Sequence, residues 1–156
     1  MEIRRAQQRD IPGVLPMVAA ICALHEAWDS AKYGFLPGTP ERYRGWLGTR
    51  VDDDQSVFLV ADDGAGRLAG FLIGTVVAEI PIYRVREFGF IHDLWVEENF
   101  RHEGIGRQLV MAAVERFAGM GMKQIRLDTA APNEVARKLF QACGFRVGVV
   151  EMLMEL

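Results

Sequence analysis

Cysteine is scarce in this 156-residue sequence, which carries only Cys22 and Cys143. Two thiols are too few for a disulfide framework, and their spacing matches no metal site. A stapled extracellular scaffold and a cysteine-ligated metal centre are thereby excluded, no metal is expected, and the simplest setting is a reducing cytoplasm. An excess of positive charge is also missing. Lys and Arg number 18 against 21 Asp and Glu, giving a net charge of −3 and a pI near 5.6. A broad electrostatic footprint for nucleic acid is absent, so no nucleic-acid partner is expected. No apolar run suits a membrane: Ile11 to Leu24 is short for a span, carries Pro12 and Pro16, and reads as a buried helix. The opening Met1-Glu2-Ile3-Arg4-Arg5 leads into polar residues, unlike a secretory signal. Repeats, low-complexity tracts and linker-like stretches are absent too, so residues 1–156 read as one domain.

What is present is half hydrophobic and one quarter charged, the balance of a globular chain with a core. Ile3 to Ala6 suits a short strand. Asp10 suits an N-cap, with Pro12 in the first turn of a helix to about Trp28. Ser30 to Pro40, with its Gly, Pro and Tyr, reads as a loop. Thr39 then caps a second helix from Pro40 to about Thr49. Strands follow at Ser56–Ala61, Arg67–Ala78 and Phe88–Val96, the first two joined by the turn Asp62-Asp63-Gly64-Ala65-Gly66. From Gly104 the period changes to helical, with Ile105, Leu109, Val110, Ala113, Val114 and Phe117 on one stripe and Gly119 and Gly121 as the stop. Gln124–Asp128 reads as a strand, Asn133–Cys143 as a helix ended by Gly144, and Phe145–Leu156 as extended chain. An antiparallel meander followed by strand-helix-strand units predicts an α/β sheet with helices on both faces.

The most informative stretch joins the strand Phe90-Ile91-His92-Asp93-Leu94-Trp95-Val96 to Arg101-His102-Glu103-Gly104-Ile105-Gly106, where the long amphipathic helix opens. The first turn of a helix presents unpaired N–H groups and the positive end of the helix dipole, which suits a diphosphate. Glycines at 104 and 106 allow close backbone approach, and Arg101 and Arg107 add charge. The competing reading is a loop whose glycines serve turn geometry alone. Two nucleotide motifs are excluded: Arg107-Gln108 stands where a Walker loop needs Lys-Ser/Thr, and Leu109 where a dinucleotide fingerprint needs its third glycine.

This segment resembles the coenzyme-A motif of the GNAT superfamily of N-acetyltransferases, Gln/Arg-x-x-Gly-x-Gly/Ala, matched by Arg101, Gly104 and Gly106. Leu94-Trp95-Val96 resembles the end of the strand before that loop. Ile125–Thr129 and Asn133–Phe145, with Asn133, Ala136, Phe140 and Gly144-Phe145, resemble the next strand and helix. The strong match covers Phe88 to Phe145; the N-terminal part agrees in the order of its elements. The resemblance implies a mixed, mostly antiparallel sheet in which two strands splay apart to hold acetyl-CoA. It implies that main-chain groups of Leu94, Trp95 and Val96 line the pantetheine, with the Leu94 N–H as oxyanion donor. It also implies that the backbone from His102 through Glu103, Gly104, Ile105 and Gly106 to Arg107 holds the pyrophosphate, and that Asn133 contacts pantetheine.

Acetylating an amine requires a group that accepts the ammonium proton. Many family members use a carboxylate on the strand before the loop; His92 stands there here, with a core histidine as the competing reading. Asp93 is expected on the opposite strand face in a structural role, and Glu79 is a second carboxylate candidate. Phe140 replaces the family's acidic tyrosine and is counted with the cofactor-binding residues. Tyr83, Tyr33 or solvent is left to protonate the thiolate. Cys143 suits an inert buried thiol better than an acetylated nucleophile. His25, Trp28, Tyr33, Phe35, Tyr43, Trp46 and Tyr83 fall in segments that shape the acceptor site in the family. The expected activity is direct transfer from acetyl-CoA to a small-molecule or peptide amine. A non-catalytic acyl-CoA-binding module and a domain whose loop binds nothing are the alternatives. Pairing of Val147–Leu156 across a homodimer interface is a further expectation.

Overall fold

Ser56 to Ala61 is a continuous run with no charged residue, and such a run can be a strand only if both of its faces are covered. In the computed structural model, which describes all of residues 1–156, this run lies in strand β2 (Ser56–Asp62), and each of its first six residues is buried. Around it, β1 (Glu2–Arg5), β3 (Leu68–Ala78), β4 (Glu87–Val96) and β5 (Ile125–Leu127) complete one sheet in the order β1-β2-β3-β4-β5. The first three pairings are antiparallel and β4–β5 is parallel. The helices are α1 (Ile11–Trp28), α2 (Ser30–Tyr33), α3 (Thr39–Val51), α4 (Ile105–Gly119) and α5 (Glu134–Ala142).

The two-residue period of β2 divides the core. Phe58 and Val60 join Phe71 and Ile73 of β3 under Val14 and Val18 of α1 and Leu47 of α3. Val57, Leu59 and Ala61 face the other way, against Leu109, Val110, Ala113 and Phe117 of α4 and Phe140 of α5. The sheet is thus the expected mixed, mostly antiparallel one with helices on both faces. Helix α1 has the length and apolarity of a membrane span; Ile11, Val14, Leu15, Met17 and Val18 are buried within this chain, but no residue from Ala19 to Trp28 is, so the expected buried helix is buried on one face of its first half only.

Phe117 fixes α4 on the sheet. A Cβ at Gly89 would fall 2.7 Å from its ring, and one at Gly74 would fall 3.0 Å away. Two strands without side chains therefore make room for one large ring, and the opening of α4 is held beside the end of β4. The β4–β5 ladder is short, pairing only Gly89–Ile91 with Ile125–Leu127. From Asp93 to Val96, β4 is paired with β3 alone, which gives the splayed strand pair.

Several local expectations change. Asp10 does not cap α1 with its side chain; its carboxylate accepts from the Gln7 N–H (2.8 Å) and from Arg4 (2.7 and 2.9 Å). Arg4 also bridges to Asp62, so a buried acid is neutralised by β1 instead of by the helix. The N-cap of α3 is Gly38, at φ +77°, and Thr39 is the first helical residue. The expected loop after α1 contains the four-residue α2, capped by Asp29, which accepts from the Lys32 N–H at 3.2 Å. Phe145–Leu156 enters no strand or helix.

Candidate active site

A short 3₁₀ turn, Glu98–Phe100, carries the chain from β4 into the loop that opens α4. The N-cap, Gly104, sits at φ +78°, where a side chain is strained, and has no side chain of its own to cap the helix. His102 is the only non-glycine residue at positive φ, +66°. Such left-handed residues are costly and cluster at ligand clamps. No hydrogen bond within the protein engages the six consecutive N–H groups from His102 to Arg107. Six free donors at the positive end of a 15-residue helix make a candidate anion cradle.

The two motif glycines do different work. A Cβ at Gly104 would meet only Gln108 Nε2, 4.0 Å away, so backbone conformation is the constraint there. A Cβ at Gly106 would come within 3.2 Å of Leu139 Cδ2 and 3.8 Å of Val96 Cγ2. At Gly106 the absent side chain therefore leaves room for Leu139 of α5 and Val96 of β4 to pack against the opening of α4.

Beside the cradle lies the unpaired edge of β4. The Glu97 N–H donates to Ala69 O across β3 (2.8 Å), and main-chain direction alternates along a strand, so Val96 and Leu94 point their polar groups to the open edge. Val96 O is reached there by Arg101 Nε at 3.0 Å. The Arg101 guanidinium also lies 4.9 Å from the centre of the Trp95 ring, so its charge is tied to β4 and Arg107 is the freer cation of the two. Trp95 packs on the α1/α3 side, and its indole N–H is buried without a partner.

The strand carries a bulge that period-two counting does not anticipate. Ile73 pairs with Asp93 and Gly74 with Ile91, so His92 is the extra residue. His92 and Asp93 consequently face the same layer: His92 stands edge-on to Trp46 of α3 at 5.3 Å, and Asp93 accepts from the hydroxyl of Tyr43 of α3 at 2.8 Å. The expectation that Asp93 lies on the opposite face is corrected by this bulge, while its structural hydrogen bond is found.

Burial, with the Arg50 charge adding to it, holds His92 below the ordinary 6.5 and therefore neutral at pH 7. Its Nε2 is 2.8 Å from Thr75 Oγ1. In the Nε2–H tautomer that nitrogen donates to Thr75, leaving the Nδ1 lone pair to take a proton. The rings of Trp46 and Phe90, 5.3 and 5.1 Å away, hold the imidazole in place. Burial pushes the Asp93 carboxyl above its usual 3.8, opposed by the Tyr43 hydroxyl and the charge of His25.

Glu79 is ion-paired with Arg126 of β5 at 2.5 Å, and that bond holds its carboxyl low, so it is committed elsewhere. Phe140 is 7% exposed and meets Phe145 edge-on at 5.6 Å, an apolar wall without a proton to give. Asn133 is the N-cap of α5: its Oδ1 accepts from the Ala136 N–H at 3.1 Å, leaving its Nδ2 donors free. Burial raises the thiols of both Cys22 and Cys143, so neither is a ready thiolate. Of the acceptor-side aromatics, His25, Trp28 and Tyr33 form one edge-on cluster, and Tyr43 and Trp46 continue into His92. Tyr83 is exposed on the β3–β4 loop. Thr75 and the Tyr43–Asp93 pair were not foreseen, since each is a contact between distant segments created by the sheet register.

The chain is 31% identical over 87 residues to N-alpha-acetyltransferase 30 of Saccharomyces cerevisiae, an alignment covering 55% of this chain and 49% of that protein. The chain thus spans about half the length of that relative. A longer match, 27% identical over 150 residues, is to the L-methionine sulfoximine/L-methionine sulfone acetyltransferase of Pseudomonas aeruginosa and covers 93% of this chain and 80% of that one. In fold, the crystal structure of a mutant BH1408 protein from Bacillus halodurans superposes with a TM-score of 0.86 at 24% identity, over 100% of this chain and 99% of that one. The pattern of the Acetyltransferase (GNAT) family matches residues 21–145, which contain the cradle, the open edge and the bulge, and the chain belongs to that family.

Proposed function

We propose that this protein moves an acetyl group from acetyl-CoA to a primary amine by direct attack in a ternary complex. The observation that carries the reading is the row of six unengaged N–H groups, His102 to Arg107, placed beside the unpaired edge of β4. One element offers a cradle for a diphosphate and the other a strand edge for the amides of pantetheine, and both belong to coenzyme A. In this reading Val96 pairs its main-chain N–H with pantetheine, and Asn133 adds its free amide donors. Phe140 is a wall of the thiol end. Leu94 aims its N–H at the thioester carbonyl, where negative charge gathers during attack.

Acetyl-CoA supplies an activated acetyl thioester. His92 Nδ1 accepts the proton given up by the attacking nitrogen as the N–C bond forms and the C–S bond breaks. A thiolate with a pKa of about 8.5 leaves with little assistance, so solvent can return its proton and a tyrosine at 140 is dispensable. The raised thiols of Cys22 and Cys143 favour direct transfer over an acetyl-enzyme. The acceptor enters from the α1/α3 side, where the aromatic rings and Asp93 suit a small-molecule or peptide ammonium. The free thiols fit a reducing, cytoplasmic setting.

Calorimetry with acetyl-CoA, followed by a thiol-release assay over a diverse amine library with His92→Ala as control, tests this. Binding together with amine-dependent release that collapses in His92→Ala is the expected result. Binding with silence toward every amine supports an acyl-CoA-binding module instead, and failure to bind removes the reading altogether.

A further inference from the structure

Asp93 is a largely buried carboxylate, and none of the protein's ion pairs includes it. Burying a charge is costly unless an opposite charge and hydrogen bonds answer it. Asp10 meets that rule, held by two nitrogens of Arg4 at 2.7 and 2.9 Å. Asp93 has a single bond, from the Tyr43 hydroxyl to Oδ2 at 2.8 Å. Its Oδ1 accepts nothing from the protein, yet it is not sealed in: the one buried side-chain atom without a partner is the indole nitrogen of Trp95. One oxygen of a deep carboxylate therefore opens onto the space under α1 and α3.

The groups around that space do not supply the missing cation. From α1 comes the Cys22 thiol, kept protonated by burial and then by the charges of Asp93 and Glu26. His25, also on α1, is bonded through Nδ1 to Ile21 O at 2.8 Å and forms no ion pair with Asp93. From α3 come Tyr43 and Trp46, whose rings meet edge-on at 5.6 Å. Arg50, the cation felt by His92, is bonded to Asp53 at 2.6 Å. A carboxylate short of a cation, set among aromatic rings, has the chemistry of an ammonium site.

That ammonium is not the one that reacts. An ion pair with Asp93 favours the protonated form of an amine, whereas attack on a thioester needs the nitrogen neutral. His92, the next residue and the more open of the two, is neutral at pH 7 and offers a lone pair instead of a charge. Neighbouring groups with opposite demands fit two different nitrogens.

We propose that the acceptor is a diamine: one nitrogen gives up its proton at His92 and is acetylated, while the other stays charged and is held by Asp93 Oδ1. Asp93 is then the residue that selects the substrate, and Tyr43 positions its carboxylate. The inference rests on acetyl transfer at this site.

Short α,ω-diaminoalkanes, each set against the monoaminoalkane of equal chain length, test it in the thiol-release assay at pH 8. The best diamine should exceed its monoamine in kcat/KM by roughly ten- to a hundredfold, the scale of a hydrogen bond to a charged group. Asp93→Asn keeps an oxygen for the Tyr43 hydroxyl and removes the charge, so it should erase that preference, chiefly by raising KM for the diamine. Thermal melts report whether the variant is folded, and the comparison in the parent chain needs no variant. Calorimetry of the same diamines on the protein loaded with CoA separates binding from turnover. Diamine binding that Asp93→Asn abolishes, in a protein that acetylates no amine, supports the cation site and removes acetyl transfer. Equal use of diamines and monoamines, or a preference that survives Asp93→Asn, overturns the second cation and leaves acetyl transfer standing. Silence in both assays overturns both.

Discussion

Replacing Tyr43 with Phe removes one oxygen and leaves the ring that packs edge-on to Trp46 at 5.6 Å. The lost atom is the hydroxyl that donates to Asp93 at 2.8 Å. A hydrogen bond to an ionised group contributes roughly 1.5–3 kcal/mol and one between neutral partners roughly 0.5–1.5 kcal/mol, so the cost depends on the charge of Asp93. Burial already holds that carboxyl above its unfolded value, and the Tyr43 hydroxyl works against the rise. A group raised on folding stabilises the native state below its unfolded pKa and loses that contribution as pH climbs through the folded one. Removing the hydroxyl lifts the folded value further, so the variant loses more stability at pH 8 than at pH 4. For a chain of this size 1 kcal/mol moves Tm by ~2–4 °C, giving a deficit of roughly 3–12 °C at pH 8 against roughly 1–6 °C at pH 4. Calorimetric melts of both proteins at the two pH values measure it. Leu47→Ala, at a site with no exposure, is the control and should cost ~2–5 kcal/mol at either pH. Equal losses for Tyr43→Phe at pH 4 and pH 8 would refute the picture of a charged Asp93 held by Tyr43.

Gly104→Ala should cost about 1–2 kcal/mol of stability from its left-handed backbone. It should also weaken acetyl-CoA binding about tenfold or more, worth ~1.4 kcal/mol, by re-aiming the donors of the cradle. Gly106→Ala, whose tightest contact is the flexible end of Leu139 at 3.2 Å with Val96 Cγ2 at an ordinary 3.8 Å, should bind nearly as the parent does; titration calorimetry showing equal losses would contradict the division of labour between them. In the pH dependence of kcat, the acid limb should fall below pH 6.5, because His92 must be neutral to accept a proton and burial lowers its pKa. His92→Gln should lower kcat by roughly 10²–10⁴ and erase that limb; a limb that persists assigns the base elsewhere.

Local signals were readable from the sequence wherever physics is local. The stripe from Ile105 to Phe117, the stop at Gly119 and Gly121, and the glycine that opens α4 each depend on neighbours within a few residues, and all appear near their expected places. The continuous apolar run of β2 likewise implied cover on both faces. Capping was less legible, because Asp10 had a stronger partner in Arg4, a cation on another element that offers two bonds where a helix N–H offers one.

The candidate site divides along the same line. The unengaged N–H groups from His102 to Arg107 belong to one loop and its helix, whereas the surroundings of His92 and Asp93 rest on how β3 is registered against β4. Strict alternation separates His92 from Asp93; one extra residue between the Ile73 and Gly74 pairings brings both to the α3 side. That residue does more than redirect a side chain. A bulge bends its strand and increases local twist, and this one falls next to Ile91, the last residue of β4 paired with β5. The irregularity that turns Asp93 toward α3 therefore lies where the two parallel strands part. The parting of the strands and the proton acceptor proposed at His92 thus meet at one irregularity: inserting or deleting a residue at 92 should disturb both, while substituting the histidine should leave the parting intact.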